Sequence, residues 1–308
     1  MSSGALTQQS FKSAYGIRQF KISSEKNSVY YNQHSSRTVT KLVRSMTDGS
    51  LSSSTSSAIS AGSFYLNNVS VVEDLQISPD SNYVYVCSRY GGAITVFNKN
   101  MASLFYTITG TIASPSYPGD LGAGPVSMAL SKTNKLYVNN ATQGNIQTFT
   151  RNLSTGALTS SSLTTFNLLG NLLISPDDNH LYLWTDTRIE IFSTAGSGLT
   201  YVSGTGISGI RSIVFSQDGK FLYIGLASTI IFLNRNTNTG ELSSPSNNVI
   251  PGSSNYGNLV ISLDDKYIYS STDRAIESYK RNVVTGALTY NGQYAATHIV
   301  ANLEVTSF

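Results

Sequence analysis

Six times along the chain an apolar triplet ends in a serine, runs through a short polar turn and resumes as a strand built around tyrosine. The first copy joins Phe20-Lys21-Ile22-Ser23 to Val29-Tyr30-Tyr31, and the second joins Leu75-Gln76-Ile77-Ser78 to Val84-Tyr85-Val86. Later copies end in Ser131, Ser175, Ser216 and Ser262 and resume at Leu136-Tyr137, Leu181-Tyr182, Leu222-Tyr223 and Ile268-Tyr269. Successive serines lie 55, 53, 44, 41 and 46 residues apart. Self-similarity at that period means one small supersecondary unit, unable to bury its apolar face alone, repeated until the copies form a common core.

Within the second copy, Leu75 to Ile77 reads as a short strand and Ser78-Pro79-Asp80-Ser81-Asn82 as a tight connection. Tyr83 to Ser88 reads as a second strand, the alternating run Ala93 to Phe97 as a third, and the stretch around Leu104 to Ile108 as a fourth. Four antiparallel strands per repeat make a propeller blade. The expected fold is therefore an all-β propeller of six complete blades over residues 1–308 as a single domain. Ser3-Gly4-Ala5-Leu6 matches a fourth strand and Asn302 to Thr306 a first strand, so a partial seventh blade shared between the termini is expected too.

Arg151-Asn152, Arg235-Asn236 and Arg281-Asn282 each open a loop that closes on Thr-Gly before a fourth strand. Asn and Gly suit a chain turning through positive φ, so these arginines read as parts of the frame rather than as a basic ring.

Charged residues are 12% of the chain and the formal charge is +3. With no Lys/Arg cluster to neutralise phosphates, nucleic acid is excluded as a partner. No run of about 18 apolar residues occurs, so no membrane span is expected. The opening residues carry no signal-peptide core, which favours a cytoplasmic protein or one expressed without its leader. Cys87, the only cysteine, sits in a Tyr-Val-Cys strand and reads as a small packed residue. His180 reads as a solvated turn residue and Trp184 as packing.

In a propeller the residues just before each first strand surround the mouth of the central channel, and non-repeating polar side chains there are the place to look for a site. They are Arg18 and Gln19, Glu73 and Asp74, Ser127, Asn171, Arg211 and Ser212, Asn258, and Asn302. The loops between second and third strands add His34 and the pair Arg89 and Tyr90, which could stack on a ligand. A small molecule or protein partner at this mouth is expected.

The stretch Ile77 to Val86 and the segment Arg281 to Leu288 resemble blades of the lactonase-type seven-bladed propellers, which include 6-phosphogluconolactonase and the carboxymuconate cyclases. Leu136-Tyr137-Val138-Asn139-Asn140 is similar to the related YVTN repeats. The family's His-rich runs at first-strand entries are missing, and the chain has three histidines in all. The main expectation is therefore a non-catalytic binding propeller without a cofactor. The alternative implied by the resemblance is a lactone hydrolase or cyclase. There Arg18 and Arg211 would clamp an anionic substrate, and Glu73 or His34 would act as general base. A similarity to six-bladed gluconolactonase-like propellers implies calcium on Glu73, Asp74, Asn171 and Asn258 as a further possibility.

Overall fold

The computed structural model describes residues 17–33, 38–47, 51–60, 72–88, 93–100, 105–113, 125–140, 144–243, 250–251, 257–272 and 275–295. All regular structure among them is strand, arranged as six four-stranded sheets, each taking four consecutive strands in chain order. This is the expected blade. Blade 2, for example, runs Val72–Ile77, Tyr83–Ser88, Ala93–Asn100 and Phe105–Ala113, every pair antiparallel. The candidates His34, Arg89, Tyr90 and Asn302, and the terminal segments expected to share a seventh blade, lie outside the described residues.

The repeated serine is a pin. In blades 4, 5 and 6 the hydroxyls of Ser175, Ser216 and Ser262 donate to Asp177, Asp218 and Asp264 at 2.6 Å. The same oxygens accept the backbone N–H that opens the second strand, from His180, Phe221 and Tyr267 at 2.9 to 3.0 Å. The turns of blades 1, 2, 4, 5 and 6 then pass through positive φ at their fourth residue, which is Lys26, Ser81, Asp178, Gly219 or Asp265, and the blade 3 turn does not. At Gly219 that conformation costs no Cβ strain, as the Asp-Gly pair predicts.

The chain packs as two compact units. One takes the described residues up to Ile174 with Ala195–Leu199, and the other takes Ser175–Thr194 and the described residues from Thr200 onward. In the first unit the first strands are neighbours in series, Ile17–Ile22 beside Val72–Ile77, that beside Pro125–Leu130, and that beside Asn171–Ile174. In the second, Ser212–Phe215 lies beside Leu259–Ile261.

Core forms between blades. Tyr30, Val39, Leu75, Val84, Val86 and Phe97 pack blade 1 on blade 2, and Phe221, Tyr223, Ile230, Phe232, Leu259 and Tyr279 pack blade 5 on blade 6. Each such side chain contributes roughly 1.5–3 kcal/mol on leaving water, which a lone four-stranded sheet could not obtain on both faces. Cys87 is fully buried in a third such cluster, with Tyr85, Ile94, Met128 and Val138 between blades 2 and 3, as its strand position implies.

Candidate functional site

The residues before each first strand divide into two sets. Gln19, Asp74, Ser127, Asn171, Ser212 and Asn258 stand immediately before the apolar core of the strand, and where their bonds are described they link blades. The Asp74 carboxylate accepts the backbone N–H of Leu75 and, at 2.6 Å, that of Met128 in the next blade. Ser127 accepts the N–H of Leu172 at 2.9 Å, one blade further on. In the second unit Ser212 accepts the N–H of Leu259 at 3.0 Å and donates to Asn258 Oδ1 at 3.1 Å. One role is filled by two chemistries because the strand end needs only a short side chain with an acceptor oxygen. Asn171 is exposed, and Gln19 lies in the strand Ile17–Ile22.

The second set stands one residue earlier. The ladder between first and second strands skips one residue at Arg18, at Glu73 and at Val126, so the same β-bulge recurs in three successive blades of the first unit. A bulge turns its extra residue out of the regular alternation, and such positions are common beside active sites. Arg18 and Glu73 thus occupy equivalent bulges on neighbouring strands, and Glu73 is half-buried. Arg211 is exposed and directly precedes the strand Ser212–Phe215 of the second unit.

No group of three metal-ligating His, Cys, Asp or Glu side chains occurs among the described residues. The Asp74 carboxylate receives two backbone N–H groups and Asn258 Oδ1 a hydroxyl.

The repeated arginines are latches between blades. Arg235 of blade 5 is buried and reaches back to blade 4, giving Nε–H to Tyr182 Oη at 2.8 Å and a bidentate pair to Asp177 at 2.9 and 3.0 Å. Arg281 of blade 6 gives Nε–H to Tyr223 of blade 5 at 2.6 Å and holds Asp265 at 2.7 Å. The two tyrosines in turn donate to the carbonyls of Gly240 and Gly286 in the following blade. Burial pushes both phenols up to about 12, so they stay protonated and available for this donation. The loop asparagines cap their own turns, Asn236 Oδ1 accepting from the amides of Asn238 and Thr239. The structural reading of these arginines therefore holds.

His180 departs from its sequence reading. It is not a solvated turn residue but opens the strand His180–Trp184, and it is 3% exposed, with Nδ1 2.8 Å from Arg235 Nη2. The turn is exposed as expected, but the arginine that covers its last residue lies 55 positions further along the chain.

Residues 66–166, about a third of the chain, match the family described as lactonase, 7-bladed β-propeller. No curated protein matches the sequence. Among solved structures, a candidate 6-phosphogluconolactonase from Bacteroides uniformis superposes with a TM-score of 0.71 at 17% identity, over 91% of this chain and 85% of that one. A periplasmic gluconolactonase from Pseudomonas aeruginosa gives 0.68 at 11% identity, over 92% and 88%. A protein from Lactobacillus plantarum gives 0.71 at 15% identity, over 91% and 85%. The fold is a β-propeller. It resembles the lactonase-type propellers in sequence across blades 2 and 3 and in fold across most of its length, as the blade motifs imply.

Proposed function

We propose that the protein is a lactone hydrolase or cyclase of the 6-phosphogluconolactonase-like kind. The observation that carries this reading is the lactonase-family match over residues 66–166, the stretch that contains the Glu73 bulge. The comparisons favour this activity over non-catalytic binding, so the small molecule expected at the channel mouth is on this reading a lactone.

In hydrolysis, Glu73 accepts a proton from water as its oxygen bonds to the lactone carbonyl carbon. Arg18 stabilises the charge that develops on the carbonyl oxygen, the ring C–O bond breaks, and the alkoxide released takes a proton to give the hydroxy acid.

The test is hydrolysis of glucono-δ-lactone and its 6-phosphate, followed by base uptake at constant pH. Glu73→Gln is expected to lower the rate by about 100-fold or more without lowering thermal stability. A wild-type rate equal to the uncatalysed one would overturn the enzyme reading. Full activity in Glu73→Gln would remove Glu73 from it.

A further inference from the structure

The latch between blades 4 and 5 differs from the others at one position. The residue opening the second strand is Tyr83 in blade 2 and Phe221 in blade 5, whose rings press on Gly156 and Gly286 of the following blade. In blade 4 that residue is His180, pressed in the same way on Gly240.

All five N–H groups of Arg235 have partners. Nε meets Tyr182, Nη1 meets Asp177 and the Gly219 carbonyl at 3.0 Å, and Nη2 meets Asp177 and His180 Nδ1. Guanidinium donates and never accepts, so Nδ1 must offer a lone pair. The ring proton then sits on Nε2, and the Thr239 backbone is the other polar neighbour of the ring. The latch is complete only with a neutral imidazole in one tautomer.

We propose that His180 is a proton-sensitive catch, which holds blade 4 to blade 5 while its ring is neutral and loosens that contact when Nδ1 is protonated. A proton there sets an N–H against Nη2–H, removes one hydrogen bond and puts two cations within 2.8 Å of each other.

The groups facing the ring come from both blades. Blade 5 supplies Arg235, the Thr239 backbone and Gly240, and blade 4 supplies Asp177. Asp177 is the one group whose charge favours protonation, and its carboxylate is already bound bidentately by Arg235. Burial, and then the Arg235 charge, hold the imidazole below its ordinary 6.5, outweighing Asp177 and the Thr239 backbone. The unfolded chain consequently binds more protons just below pH 6.5. The stability that the catch contributes is complete above that pH and declines as pH falls towards the folded value.

The test compares thermal unfolding of the wild type and His180→Phe between pH 8 and pH 5, with phenylalanine chosen because Phe221 fills the same position. The wild type is expected to lose midpoint temperature more steeply below pH 6.5, by a slope equivalent to at most about one proton. Parallel curves would overturn the proposal. Imidazole nitrogen NMR of the wild type gives a second reading that needs no variant. It is expected to show Nε2–H with an acceptor Nδ1 persisting below pH 6.5. A ring that exchanges tautomers and titrates at its ordinary value would also overturn the catch.

Discussion

Two latches built from the same repeated residues differ in how fully they close. In the second unit every N–H of Arg235 is matched by Asp177, Tyr182, His180 or the Gly219 carbonyl. In the first unit Arg151 is equally buried and stands beside Tyr85, yet only Nη2 makes a well-formed bond, to the Thr133 carbonyl at 2.9 Å, while Nε and Nη1 lack one. Its aspartate, Asp80, feels the Arg151 charge but bonds to Ser78 and Asn82 instead. A repeated motif thus sets which residue reaches back, and the local fit of the neighbouring turn sets what that reach contributes. A buried cation with its hydrogen bonds made is hard to remove, whereas one partly unsatisfied carries its own desolvation cost.

The largest expected effect breaks the closed latch. Arg235→Leu should destabilise the protein by about 3 kcal/mol, since it strands Tyr182 and His180 and leaves Asp177 in part to solvent. Arg151→Leu should cost less than half as much, measured as urea midpoints of the two variants. Equal losses would show that the difference in hydrogen bonding has no energetic weight.

Next in size is Gly240→Ala. Its φ is +80°, and an added Cβ would lie 2.4 Å from the His180 ring, so a loss of about 2 kcal/mol in thermal stability is expected. Combining it with His180→Ala should recover part of that loss, because only the backbone strain remains.

A smaller change follows from Asp74→Ala, which leaves the Met128 amide without its acceptor at a cost of about 1–2 kcal/mol. Amide exchange at Met128 should speed up while Leu259, held by Ser212 in the other unit, keeps its protection.

The smallest effect lies at low pH. Burial works against ionising Asp177, but hydrogen bonds from Arg235, Ser175 and the Asn179 amide, with the Arg235 charge, bring its pKa down to about 2. A depressed carboxylate contributes stability above its unfolded value near 3.8 that disappears as pH falls to about 2. Arg235→Leu should flatten the unfolding profile across that window, and Arg151→Leu should leave it in place.

Much of the frame is legible in the sequence because its causes are local. Ser175 and Asp177 are two residues apart, and Asn236 caps amides two and three residues on, so spacing alone identifies these turns. The bulge at Arg18 and Glu73 leaves no such trace, since it depends on how two strands pair. The polar residues before the first strands are visible as a set, but identity alone does not separate those that hook the next blade from those carried on the bulge. Their alternation would have been a usable signal. Asp74, Ser127, Ser212 and Asn258, which make bonds between blades, all have a side-chain acceptor, while Val126, Gly170 and Gly257 of the other set have none.

From sequence alone come the period, the four strands of each blade, the turn chemistry and the framework role of the Arg-Asn and Thr-Gly loops, all set by neighbours within a few residues. Only the tertiary structure decided that Asp74 and Ser127 bind the next blade, that Tyr182 relays between Arg235 and Gly240, and that His180 is buried. Those contacts join residues some 45 to 60 positions apart. They exist only once one blade has stacked on another, because burial and hydrogen-bond partners across that gap are properties of the packed interface and not of either segment.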